Sequence, residues 1–144
     1  MDINSFFDLA EKALTGDVTS QFELGKCFDT GNIVNQNYNQ AVYWYTKAAE
    51  QGDAKAQNAL GNCYYNGKDV EKDDKQASYW YTKGAEQGHA DAQYCLGVCY
   101  QQGEGVEEDY EKAMYWYAKA AEQGNDLAIK RLSVLKKKGI LSDE

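Results

Sequence analysis

Apolar and small residues recur along this chain at the spacing of helix faces. Gln57, Leu60, Gly61 and Tyr64 fall at i, i+3, i+4 and i+7, one face of a 3.6-residue helix. Ala77, Trp80, Tyr81 and Gly84 repeat that spacing and predict a second helix. A polar turn carrying glycine, Asn66-Gly67-Lys68-Asp69, separates the two. With no Cβ at Gly61, the partner helix can come close, which predicts that its Trp and Tyr pack between the pair.

The same pattern returns every 36 residues, so the chain is a repeat array. Ala48-Ala49-Glu50-Gln51-Gly52 recurs as Gly84-Ala85-Glu86-Gln87-Gly88 and as Ala120-Ala121-Glu122-Gln123-Gly124. Tyr43-Trp44-Tyr45, Tyr79-Trp80-Tyr81 and Tyr115-Trp116-Tyr117 keep the step, as do Leu24-Gly25, Leu60-Gly61 and Leu96-Gly97. Three full units are expected at 17–52, 53–88 and 89–124. Residues 1–16 take the register of a second helix without its first, and 125–144 supply a first helix and tail, so both ends read as caps. The whole chain, 1–144, is expected to form one domain. Asn37, Asp73 and Asp109 are placed to cap second helices; Asp17, Asp53 and Asn125 are placed to cap first ones. His89 departs from that pattern.

The repeated residues resemble the Sel-one-like repeat (SLR), a relative of the tetratricopeptide repeat. The third unit carries the motif most fully: Ala90-Asp91-Ala92-Gln93, Leu96-Gly97, Tyr100, Gly103-Glu104-Gly105-Val106, Asp109, Lys112-Ala113, Trp116-Tyr117 and Lys119 to Gly124. Ile33 and Asp69 replace the second turn glycine, which puts the conformation of those two turns in question. The resemblance implies an all-α fold, a right-handed α/α superhelix (solenoid) of three helix-turn-helix repeats with capping helices at both ends. It also implies a non-catalytic scaffold or adaptor holding a protein or peptide on a concave face lined by first helices. The residues expected there are Phe22, Lys26 and Asp29, then Lys55, Asn58, Asn62 and Tyr65, then Asp91, Tyr94, Val98 and Gln101. They differ from unit to unit where packing positions do not. Tyr65 and Tyr94 are expected to be spare, because Tyr64 and Leu96 already fill the packing stripe.

Charge narrows the partners. Net charge is −8, so phosphate backbones are repelled and nucleic acid is not an expected ligand. By segment the balance is −4 over 1–52, −1 over 53–88, −5 over 89–124 and +2 over 125–144. Two readings stay open: a solubilising surface, or complementarity to a basic partner. The second allows an alternative function, a small acidic inhibitor or immunity protein that neutralises a basic toxin. No apolar run of about 18 residues is present to span a membrane. Met1 to Ser5 has neither a basic start nor an apolar stretch, so a cytoplasmic location is expected. The chain is expected to be a monomer or to self-associate weakly through its end helices.

Candidate chemistry is sparse. Cys27, Cys63 and Cys99 share one register position, and equivalent positions should lie about 10 Å apart, beyond the ~7 Å limit for a disulfide. Cys95 stands one turn before Cys99, so four reduced packing thiols and no disulfide are expected. His89 is the only histidine and lies on another helical face from these thiols, which leaves neither a four-ligand zinc set nor a Cys/His nucleophile pair. Glu107-Glu108-Asp109 and Asp73-Asp74 sit at turns and helix starts, where helix dipoles explain them. No catalytic residue, metal or cofactor is expected, and the chain is not read as an enzyme. Tyr43, Tyr79 and Tyr115 are read as an outer packing stripe, with a binding platform as the alternative.

Overall fold

The computed structural model describes residues 1–139. Eight α-helices and no strand occur among them: α1 Ile3–Leu14, α2 Val18–Thr30, α3 Tyr38–Glu50, α4 Ala54–Asn66, α5 Asp74–Glu86, α6 Ala90–Gln102, α7 Tyr110–Glu122 and α8 Asp126–Lys137. They fall into two compact units, Met1–Asp73 with α1–α4, and a second from Asp74 with α5–α8. Within the first, α1 packs on α2, α2 on α3 and α3 on α4; within the second, α5 packs on α6, α6 on α7 and α7 on α8.

Helix starts are set by side chains that accept from the third residue onward. Asp17 accepts from the Ser20 N–H, Asn37 from Gln40, Asp53 from Ala56, Asp109 from Lys112 and Asn125 from Ala128. His89 follows the same rule: its Nδ1 accepts the Ala92 N–H at 3.2 Å. The imidazole is therefore a cap, carrying its proton on Nε2, and the expected break in the pattern does not occur.

Packing of α2 on α3 and of α6 on α7 turns on a tyrosine against a glycine. A Cβ at Gly25 would lie 2.7 Å from the Tyr45 ring, and one at Gly97 would lie 2.6 Å from Tyr117. The rings occupy the space that any larger residue would need. Tyr45, Tyr81 and Tyr117 are all buried. Of the tryptophans, Trp44 is buried while Trp80 and Trp116 remain partly exposed. The expectation that Trp and Tyr both pack between the helices holds for the tyrosines, while of the tryptophans only Trp44 is buried. In the first unit Trp44 joins Phe6, Ala13, Leu24 and Cys27; in the second Ala113, Tyr117 and Ala120 pack with Ala128 and Leu135 of α8.

The two turns in question keep the glycine conformation without the glycine. Ile33 has φ 73° and Asp69 φ 51°, where Gly105 has φ 75°. A β-branched residue at such an angle is strained. Gly105 has an additional reason to be small, since a Cβ there would collide with the Asp74 carbonyl.

Three substitutions test these features by their sign. Alanine normally stabilises a helix interior over glycine by about 1 kcal/mol, yet Gly97→Ala should cost about 1–3 kcal/mol by forcing Tyr117 aside. Thermal melting should show the drop, and a rise in Tm would refute the ring-on-backbone contact. Ile33→Gly should instead raise stability by about 1 kcal/mol in urea unfolding, while the reciprocal Gly105→Ile should lower it.

Candidate functional site

The residues expected on the first-helix face divide between open positions and positions tied into the core. In the first unit, Phe22 of α2 is half-buried, its ring 5.8 Å from that of Tyr45. Lys26 lies over the outer side of the Phe22 ring at 5.5 Å and pairs with Glu23 at 3.8 Å. Asp29 accepts the Tyr45 hydroxyl at 2.9 Å and faces the Lys68 ammonium at 3.8 Å. Burial first, then the Asp29 charge, pushes the Tyr45 hydroxyl well above the ordinary tyrosine range, so it stays a donor. On α4, Lys55 is exposed while Asn58, Asn62 and Tyr65 are half-buried. Lys72 stands over the Tyr65 ring at 4.5 Å and donates to the Tyr65 carbonyl at 2.9 Å. Asn58 holds the register of Phe22 and Tyr94, but its Oδ1 is buried without a hydrogen-bond partner.

In the second unit the expectation needs correcting. Tyr94 of α6 is not spare: its ring packs 5.8 Å from Tyr117, and with Val98 it borders the core cluster. Gln101 accepts the Tyr117 hydroxyl at 2.6 Å. Only Asp91 is exposed, and it accepts from the Asn125 amide at 3.1 Å. Tyr94 and Phe22 share one register position and one ring geometry, so the tyrosine completes the core contact and its outer edge alone is open.

A set of buried glutamines, read from the sequence only as packing positions, closes the polar accounts between hairpins. Gln21, Gln57 and Gln93 donate to the Ala13, Ala49 and Ala85 carbonyls at 3.2, 3.1 and 3.2 Å. Each carbonyl belongs to the last turn of the preceding helix and also accepts the N–H of the glycine that follows it, Gly16, Gly52 or Gly88, so the glutamine fills its second acceptor site. Gln51 then donates to Gln21 Oε1 at 2.6 Å, and Gln123 to Gln93 Oε1 at 2.9 Å. The invariance of Gln in all three units was the available signal.

Second helices carry another feature. Tyr43, Tyr79 and Tyr115 are about half exposed, each edge-on to the following tryptophan at 5.0 Å. Lys47, Lys83 and Lys119 sit over these rings at 5.4, 5.2 and 5.2 Å. Reading them as a packing stripe therefore accounts for only one side of each ring.

All four cysteines keep reduced thiols, with Cys27, Cys63 and Cys99 buried and Cys95 half-buried. Burial pushes Cys63 up to about 11 and Cys95 up to about 12, with Cys27 shifted the same way. No group of three His, Cys, Asp or Glu side chains suited to a metal occurs among the described residues. No described helix is long and apolar enough to cross a membrane.

Residues 18–53, 54–89 and 90–125 each match the Sel1 repeat model. The chain belongs to the Sel1 repeat family. A crystal structure of a Sel1 repeat protein from Oxalobacter formigenes aligns at TM-score 0.82 and 42% identity, over 91% of this chain and 98% of that one. A protective antigen of uropathogenic Escherichia coli strains, displaying an SLR fold, aligns at 0.77 and 32%, over 93% of this chain and 36% of that one. Cysteine-rich protein B of Helicobacter pylori aligns at 0.67 and 28%, over 85% and 93%. A search of curated protein sequences returns no significant match. The all-α repeat class expected from the residues is the class these structures share. Sel1 repeat proteins are generally protein-interaction scaffolds and typically non-enzymatic.

The raised thiols give a test with a definite sign. A thiol whose folded value lies above its unfolded value of 9.0 favours folding below that pH, and the benefit fades as pH climbs to about 11. Urea midpoints should hold steady into the mildly alkaline range and fall above it, and Cys63→Ser should reduce that fall. A disulfide reagent should react slowly with the native chain and count four thiols once it is unfolded.

Proposed function

We propose that this Sel1 repeat protein is a non-catalytic scaffold that holds a protein or peptide partner against its first helices. The observation that supports the reading is a contrast within one helix type. Packing positions are identical in α2, α4 and α6, as in Leu24, Leu60 and Leu96, or Gly25, Gly61 and Gly97. At the adjoining positions the residues differ: Lys26, Asn62 and Val98 share one register, and Thr19, Lys55 and Asp91 another. Shared packing with unlike neighbouring side chains suits recognition of one partner by distinct chemistry on each helix. The aromatic edges of Phe22 and Tyr94 supply apolar contact area beside Lys26 and Asp91. Nothing in the comparisons favours the acidic inhibitor.

A photo-crosslinking residue placed singly at Lys26, Asn62 or Asp91 should trap the same partner. One placed at Asp8, exposed on α1, should trap none. Adducts from Asp8 alone would remove the first-helix reading. Because Phe22 and Tyr94 rest on core tyrosines, Phe22→Ser or Tyr94→Ser should lower stability by about 1–3 kcal/mol, so binding loss in those variants has to be read beside their melting curves.

A further inference from the structure

On the outer side of the second unit, α5 and α7 present two aromatic–lysine pairs that the core does not use. Tyr79 and Tyr115 are 51% and 54% exposed, beyond what packing requires. Two recesses open beside them, of about 380 Å³ and about 290 Å³. Lys75, Tyr79, Lys83 and Glu86 wall the first; Glu86, Tyr115, Trp116 and Lys119 wall the second. Lys83 and Lys119 outnumber Glu86 in this lining, on a chain whose net charge is −8. In the first unit α3 carries Tyr43 with Lys47 as α7 carries Tyr115 with Lys119, but α1 carries Phe7 with Glu11 where α5 carries Tyr79 with Lys83, so a lysine on both rungs is particular to the second unit.

We propose that this outer groove of α5 and α7 docks an extended acidic peptide segment of a partner protein, separately from the first-helix face. Each lysine already lies over its tyrosine ring, 5.2 Å from the centroid, so its position is set before a ligand arrives. An incoming carboxylate meets the ammonium from outside, while the flanking side chains of the peptide cover the ring edges. Exposed aromatics supply the apolar contact, and the lysines supply orientation and sign. A basic peptide would meet the same lysines and be repelled, although the chain as a whole would attract it.

The probe is a random copolymer of glutamate and tyrosine, titrated into the full chain at low salt and followed by amide NMR. Its counterpart is a lysine–tyrosine copolymer. Shifts should centre on Lys83, Glu86, Tyr115 and Lys119, and affinity should fall as salt rises. The pair Lys83→Glu with Lys119→Glu should weaken binding about tenfold or more, Lys83→Arg with Lys119→Arg should keep it, and Lys83→Gln with Lys119→Gln should fall between. Circular dichroism on each variant separates binding loss from unfolding. The proposal is overturned by absence of binding, by equal binding of both copolymers, or by shifts centred on Lys26 and Lys55 or on Lys136–Lys138. Lys26, Asn62 and Asp91 are untouched in these variants, so the first-helix reading stands or falls on its own crosslinks.

Discussion

The contact on which the helix pairs depend is a tyrosine ring laid on a glycine backbone. Gly25 under Tyr45 and Gly97 under Tyr117 bring paired helices closer than any Cβ would allow. That approach has two consequences at once. It buries the ring, and it carries the hydroxyl across to a polar side chain near the end of the partner helix, Asp29 in one unit and Gln101 in the other. A phenylalanine could fill the same volume but would leave those acceptors without their donor, so the residue type follows from both ends of the ring. Phe22 and Tyr94 then lie on the far side of the same tyrosines, which makes the inner edge of the proposed first-helix face an extension of the core.

The second constraint is electrical. Every helix of a repeat array ends with carbonyls that have lost their donors, and stacking the next hairpin on top shuts water away from them. At Ala13, Ala49 and Ala85 the glycine after the helix supplies one N–H, and a glutamine near the start of the next first helix supplies a second. Its own oxygen is then free to accept from Gln51 or Gln123. A buried polar residue here costs little, because both of its ends are engaged.

Period, helix placement and family were legible because they rest on spacing, and spacing survives without coordinates. Side-chain fates at equal spacing were not. His89 looked like an interruption because capping was read by residue type, whereas the backbone asks only for an acceptor at the right place, and a neutral imidazole offers one. Gln93 looked like one more packing position, since the carbonyl it serves lies eight residues back on another helix. Tyr94 looked dispensable because Leu96 already filled its own stripe; the ring it meets belongs to Tyr117, in the other helix of the hairpin. Ile33 and Asp69 left their turns in question, and only the backbone shows that the left-handed angle persists at a cost in strain.

The sharpest case is the triplet Tyr-Trp-Tyr. Successive helical residues are turned by about 100°, so the two tyrosines of one triplet point about 200° apart. Tyr117 goes inward to Gly97, Trp116 lies along the edge, and Tyr115 faces outward under Lys119. Two identical residues therefore have opposite duties, and composition alone cannot separate them. Their neighbours can. The inner tyrosine faces a helix glycine and a polar acceptor, while the outer one has a lysine four residues on, placed over its ring. Where one helix buries one tyrosine and exposes another in every repeat, core packing explains only the first. The second packs on one side only, edge-on to its tryptophan, and the lysine above it gives the open side a positive charge.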